Sequence, residues 1–438
     1  MSDQNTDEFE QLRNGILQQL KRNDKGNVAN SIENSLLILE KDPLFQGAVR
    51  KNLLTDCPEL NGTVPWRQDR GMMTDRDLPF IRLHFEQYYG IISDKRLPDA
   101  LEIAAARNAF HPIREYLLGL EWDSIPRVRF ALNHFLGAEV NDFNEECLRV
   151  FMYGAAERVF RPGCKFELML CLTGGQGAGK TSFFRYLALK DEWFSDDLRR
   201  LDDENVYRRL QGHWIIEMSE MIAAGSARSV EEIKAFLSRQ KDTYKIPYDR
   251  FPADRPRQCV FAGTTNKQLF LPLDRSGNRR FLPVSVRPEQ AQTHVLKDDR
   301  ASRAYFDQLW AEIMTQYKTG EYSLCLSGES ERQLRREQRR FIQDDTRAGQ
   351  IIDFMEHYPG DRVCSRLLYR EALEHSYEDP GRADTAEICD IVHNAISNGD
   401  LSGWRAFESS RRFERYGKQR GWERIQPEKR NGEDGTGT

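Results

Sequence analysis

Residues 174–181 read GGQGAGKT and fit G-x-x-x-x-G-K-[ST] without a mismatch. No other stretch constrains the fold as tightly, because the pattern works only between a strand and a helix. The flanks supply both. The apolar run FELMLCLT (166–173) precedes it, and the amphipathic KTSFFRYLAL (180–189) follows. Gly174, Gly175, Gly177 and Gly179 allow backbone angles that side chains forbid, so successive N–H groups can turn inward around an anion. Gln176 and Ala178 complete the loop. The helix that opens near Gly179 adds its partial positive end. Lys180 can then reach the β- and γ-phosphates, and the Thr181 hydroxyl can bind Mg²⁺. Gly174 to Ser182 are thus the expected nucleotide-binding residues, with ATP and Mg²⁺ as the expected ligands.

Three further apolar runs, HWIIEM (213–218), QCVFAGTT (258–265) and RFLPVSV (280–286), alternate with amphipathic helices. Short continuous runs in that alternation predict an α/β fold with a mostly parallel sheet between helices. The second run ends in acid. Glu217, with Glu220 beyond it, can hold a magnesium shell and polarise a water. Two solvated surface glutamates are the plainer alternative. Asn266 ends the third run at the edge that carries the glycine loop, where an amide can orient water or sense the γ-phosphate. Arg279 and Arg280 open the last run. Their own edge need not face their own nucleotide, so they could serve a neighbouring subunit. The alternative is a structural pair capping a helix or bridging to Asp274.

The 438 residues allow about three domains. A net charge of −5 is small for that length, so any nucleic-acid surface has to be local. The cysteines at 57, 147, 164, 171, 259, 325, 364 and 389 form no C-x-x-C and no zinc-finger spacing, which predicts free thiols in a reducing compartment. No apolar signal core and no run of about 20 apolar residues is present, so a soluble, cytoplasmic protein without a membrane span is expected.

The expected organisation is a loose N-terminus (1–26), a helical collar (27–147), the α/β core (148–300), a helical exit or lid (301–346), a winged-helix-like domain (347–425) and a polar tail (426–438). The basic stretch RRFERYGKQRGWER (411–424), with aromatics interleaved, suggests a wing or DNA arm, or else a charged lid.

The order of glycine loop, HWIIEMSE, IKAFLSRQKDTYKIPYDRF, FAGTTN and NRRFLPV resembles the superfamily 3 helicases of viruses, phages and plasmids. More closely, the chain resembles the virulence-associated protein E (VapE, or VirE) family, over about residues 95–320. The run-in HPIREYLLGLEWDSIPR and the exit QLWAEIMTQY share the likeness. The resemblance implies an AAA+-related ATPase core, a homo-oligomeric ring, commonly a hexamer, and movement along single-stranded or forked DNA. It implies phosphate and metal roles for Lys180 and Thr181, a sensor role for Asn266, and a finger for one arginine opening the last strand, with Arg280 the nearer to it. Many such ATPases carry two adjacent acids, whereas here they are spaced E-M-S-E, which leaves open which one activates water. The resemblance also implies a pore-facing hairpin. Lys234, Lys241, Lys245 and Arg250, interleaved with Tyr244 and Tyr248, are its expected DNA contacts.

The reading that follows is a replicative DNA helicase of a mobile element, with a replication-initiation partner conceivable. Two others stand beside it. One is an origin-binding protein whose assembly ATP controls without strand displacement. The other is a P-loop kinase, which would need an acceptor pocket and arginines acting in cis.

Overall fold

A computed structural model describes residues 3–67, 69–92, 95–198, 201, 206–220, 227–244, 253–271, 278–342 and 346–425. Two compact units emerge. One comprises 1–268 with 279–337, the other 269–278 with 338–438.

The first unit opens with α1 (Asp3–Gln19), where a loose terminus is expected. Its polar sequence conceals two anchors, since Ile16 and neighbouring Leu20 are each 4% exposed. They join a core with residues of α2 (Ile32–Lys41), including Ile38 and Leu39. Ser31 caps α2, its hydroxyl accepting the Asn34 N–H at 3.2 Å. The region expected to be mostly helical also holds an antiparallel sheet of β1 (Val49–Asn52), β2 (Cys57–Leu60) and β3 (Gly71–Met72). VRKN and CPEL lack the apolar alternation that marks a strand. What holds them is pairing of Val49 with Leu60, both buried, against α4 (Leu97–Arg107); α3 (Asp77–Tyr89) packs in the same core.

A larger core follows. Its α5 (Pro112–Leu118), α6 (Val128–Leu136) and α7 (Asp142–Phe160) cover a parallel sheet. The sheet holds β4 (Met169–Thr173), β5 (Phe194–Ser195), β6 (Ile215–Ser219), β9 (Val260–Thr265) and β10 (Phe281–Ser285), in the order β10-β4-β9-β6-β5. All neighbours run parallel. Between the strands lie α8 (Lys180–Leu187), α9 (Val206–Leu210), α10 (Ala227–Leu237) and the hairpin β7 (Lys241–Tyr244) with β8 (Ala253–Pro256). The long α11 (Asp299–Thr319) buries Trp310 against Trp214, with ring centroids 4.6 Å apart. Both indoles satisfy their N–H on backbone carbonyls, Trp214 on Ala155 at 2.9 Å and Trp310 on Leu187 at 2.7 Å. All eight cysteines are free.

After α12 (Gly328–Arg339), the second unit runs α13 (Thr346–His357), β11 (Arg362–Cys364), α14 (Ser365–Leu367), α15 (Arg382–Asn398), β12 (Trp404–Ala406), the hairpin β13 (Arg411–Phe413) and β14 (Gly417–Gln419), and β15 (Gly421–Arg424). Its sheet order is β11-β15-β12, antiparallel throughout. The boundary expected at 347 falls inside this unit. Phe270 and Leu271 both donate their N–H to the Phe341 carbonyl, at 3.0 and 2.9 Å, so the 269–271 segment belongs with it.

His111 links α5 to the strand that follows Gln258. Its Nδ1 accepts the Arg114 N–H at 3.4 Å, and its Nε2 lies 2.7 Å from Gln258 Oε1. Burial pushes its pKa down to about 4, opposed only in part by the Gln258 contact. The folded value lies below the unfolded one, so this residue's stabilisation is present above about pH 6.5 and is lost as pH falls toward about 4. Between pH 7 and pH 5 the loss is roughly 2 kcal/mol. A His111→Asn variant keeps a capping acceptor but cannot titrate. Thermal melting at the two pH values should show a smaller acid-induced drop in the variant than in wild type.

Candidate active site at the carboxyl edge of the sheet

From Thr173 the chain leaves β4 and turns through 174–179 into α8. Gly177 and Gly179 both have φ +79°, a region that side chains strain to enter. Gly174 is tight for another reason, because a Cβ there would stand 2.6 Å from the Val286 carbonyl oxygen. Lys180 curls back over the loop. Its Nζ donates to the Gly174 and Gly175 carbonyls at 2.8 Å each and to Asn266 Oδ1 at 2.9 Å. Burial pushes the ammonium's pKa down, with Glu220 and Glu217 opposing.

Parallel pairing brings β6 and β9 to the same edge, with Glu217 level with Ala262 and Ser219 with Thr264. Glu217 is fully buried. Its Oε1 accepts the Thr181 hydroxyl at 2.8 Å and also the Thr264 hydroxyl. Its Oε2 has no protein partner. Burial pushes this carboxyl up, and the two threonine contacts pull the other way.

Glu220 has a different task. It sits at φ +54°, a conformation that costs a non-glycine residue about 1–2 kcal/mol. Three contacts hold it there. Its N–H donates to the Thr264 carbonyl at 2.9 Å, its Oε2 accepts the Thr265 hydroxyl at 2.8 Å, and its Oε1 accepts the Asn266 N–H at 2.7 Å. Both oxygens of Glu220 are engaged in fixing the end of β9, whereas Glu217 keeps an oxygen to spare.

The two arginines lie at the other edge. β10 runs parallel to β4 with Phe281 level with Met169, and the Met169 N–H donates to the Arg280 carbonyl at 2.8 Å. The five residues of β4 therefore separate them from the glycine loop, about 17 Å along the strand. Sequence favours Arg280 as the outreaching arginine, whereas Arg279 is the more exposed of the two. Arg280 Nε sits 3.2 Å from Glu167 Oε2 and 3.1 Å from Ser238 Oγ, with its side chain 19% exposed. Arg279 is 72% exposed and approaches Glu167 only at 3.6 Å.

Residues 117–343 match the model of the virulence-associated protein E-like domain. The match takes in 227 of the 438 residues (343 − 117 + 1), more than half the chain. The chain belongs to this family. The chain is similar to the apo structure of the NrS-1 C terminal region (305-718), with a TM-score of 0.48 and 12% identity over 90% of this chain and 99% of that one. An A form apo structure of the same region gives 0.46 and 10%, over 86% and 96%. No curated protein matches. Among the described residues, no helix is long and apolar enough to cross a membrane.

Within the VapE-like domain, the expected DNA contacts do not stay together. Lys234 is corrected. It is 3% exposed on the inner face of α10, beside buried Ile233 and Leu237, with Nζ 3.1 Å from Glu231 Oε1. Helical spacing places 233, 234 and 237 on one side, so the lysine stem is drawn under with the apolar stripe. Lys241 is exposed and pairs with Asp254 across the hairpin. Tyr244 ends β7 opposite Ala253. Lys245, Tyr248 and Arg250 lie outside the described residues. At the hairpin's root, buried Arg257 grips Asp242 through two contacts, at 2.6 and 2.9 Å. Sequence reading missed four residues that line the cleft beside the glycine loop, Ser219, Thr264, His294 and Leu296. Thr264 and Ser219 had a signal, their places in FAGTTN and HWIIEMSE; the other two had none.

The Glu217 carboxyl titrates above its unfolded value, so its stabilising contribution is present at low pH and is lost as pH rises through the folded value. At neutral pH its ionised form is a cost. Glu217→Gln keeps an acceptor for Thr181 and Thr264 without the charge. The variant's melting temperature at pH 7.5 should equal or exceed wild type's, with the gap closing as pH falls. A markedly lower value would contradict the burial argument.

Proposed function

We propose that the chain is an ATP-dependent, ring-forming DNA helicase of a phage or other mobile element, hydrolysing ATP at seams between its subunits. The observation that carries this reading is the convergence of Lys180, Asn266 and Glu217 around one glycine loop, on elements set by three neighbouring parallel strands. The fit to Mg²⁺-ATP is chemical. The loop offers N–H groups and a lysine for phosphates. A hard cation suits the Thr181 hydroxyl and the unpartnered Glu217 Oε2.

When bound, Mg²⁺ would offset phosphate charge as it develops. The protein's own groups divide the remaining work. Lys180 exchanges its carbonyl contacts for phosphate oxygens. That exchange frees Asn266 Oδ1 to orient the attacking water. Glu217 would hold the magnesium shell through Oε2, its one oxygen without a protein partner, and so polarise a water. Glu220 positions Asn266 and does not touch the reacting atoms. Arg279, too far from its own loop, completes the site of the next subunit. An arginine given in this way is typically worth 10³–10⁵ in rate, roughly 4–7 kcal/mol. The rigid Asp242–Arg257 root makes the 241–256 hairpin a lever that hydrolysis could swing against DNA phosphates.

The second unit reads as a winged helix. Its order of helix, strand, two helices, strand, hairpin and strand, with the last strand central in the sheet, supports this. Exposed Arg412, Arg415, Lys418 and Arg420 at the hairpin suit a duplex backbone.

Lys180→Ala should abolish ATP turnover. Arg279→Ala should bind ATP normally yet hydrolyse it about 10³-fold more slowly. Mixing Arg279→Ala with Glu217→Gln protein should restore activity, because some seams regain both groups. No recovery at any ratio, in rings shown to be mixed, would refute the shared site. Strand displacement on a forked duplex separates a motor from an ATP-controlled origin binder.

A further inference from the structure

The glycine loop accounts for a triphosphate but leaves the rest of a nucleotide without a partner. The segment after β10 lies over the same cleft and has no role in the scheme above. It is firmly built. The Gln292 and Thr293 N–H groups donate to the His134 carbonyl at 3.0 and 3.1 Å, and the Arg287 N–H to the Leu136 carbonyl at 2.9 Å. Gly137 permits this approach, since a Cβ there would overlap the Arg287 carbonyl. Val295 is fully buried, and its carbonyl accepts the Ser302 hydroxyl at 2.7 Å. A closing turn follows, with the Lys297 N–H on the His294 carbonyl at 2.9 Å.

Pinning Val295 inward leaves its two neighbours facing out. His294 and Leu296 both line the cleft, and Leu296 is 57% exposed. The His294 ring presses on the loop. Its Nε2 stands 3.1 Å from where a Cβ on Gly179 would be. The tautomer follows from the other nitrogen. Nδ1 accepts the Leu296 N–H at 3.2 Å, so in the neutral ring the proton sits on Nε2. The segment therefore presents one N–H donor and one apolar face beside the first turn of α8.

We propose that His294 and Leu296 form the nucleoside subsite, with Leu296 covering the base and His294 Nε2–H donating to the ribose. This inference rests on the ATP reading above and adds two residues to it. Apolar contact with the base and a single donor to the sugar discriminate weakly among bases, so the subsite accepts nucleoside triphosphates as a class. What it separates is a nucleotide from a bare polyphosphate.

The test is titration of ATP and of inorganic tripolyphosphate, each with Mg²⁺, into wild type, His294→Ala and Leu296→Ala by calorimetry. Both side chains are at the surface, so neither truncation threatens the core, and melting curves check this. The expected result is about tenfold weaker ATP binding for His294→Ala, the worth of one hydrogen bond, with tripolyphosphate unchanged. Leu296→Ala should follow the same split with a smaller loss. Equal weakening of both ligands would show that His294 only shapes the phosphate loop, and would overturn the proposal. So would no change in either ligand. Wild type that binds tripolyphosphate as tightly as ATP would sink the subsite while leaving the phosphate reading intact. Wild type that binds neither would end both.

Discussion

Glu217 is a carboxylate buried in a place where ionised carboxylates are costly. It joins three elements: the helix that follows the glycine loop, through Thr181; its own strand; and the next strand, through Thr264. Because the strands are parallel, their ends gather at one edge, and the polar groups that would be expensive inside the sheet meet there. Lys180 and Asn266 complete the gathering. Glu220 then takes a strained backbone in order to hold the end of β9. The edge thus stores conformational cost and uncompensated polarity together.

The same parallel topology has a second consequence. A residue opening β10 must be distant from the loop that closes β4, whatever its side chain. Arg280 uses that distance structurally, tied to Glu167 and Ser238. Arg279 projects outward at the opposite edge. Donors on one edge and acceptors on the other, in a single protomer, suit head-to-tail assembly, in which each contact joins unlike faces and the series can close on itself.

Much of the site was legible in the sequence, because its residues stand at the ends of apolar runs. The glycine pattern and Asn266 each mark where a buried strand meets solvent, and a strand end is the one place where such residues are neither core nor loop; Glu217 stands out instead as an acid inside an apolar run. The parallel sheet followed from the same runs. Lys234 misled because charge type outweighed helical phase: counted against Ile233 and Leu237, it falls on the buried side. The strands VRKN and CPEL carry no alternation, and α1 no apolar stripe beyond Ile16 and Leu20, so only tertiary docking reveals them. His294 and Leu296 were invisible for another reason. Their meaning depends on Val295 being pinned from α6 and α11, which no local spacing records.

In the proposed ring each site takes its phosphate cradle from one subunit and its arginine from the next. Specific ATPase activity measured across serial dilution of the protein, with Mg²⁺ and single-stranded DNA held constant, tests it most directly. The account predicts activity per protomer that collapses once assemblies dissociate. Constant activity per protomer down to concentrations at which sedimentation shows only monomer would contradict it.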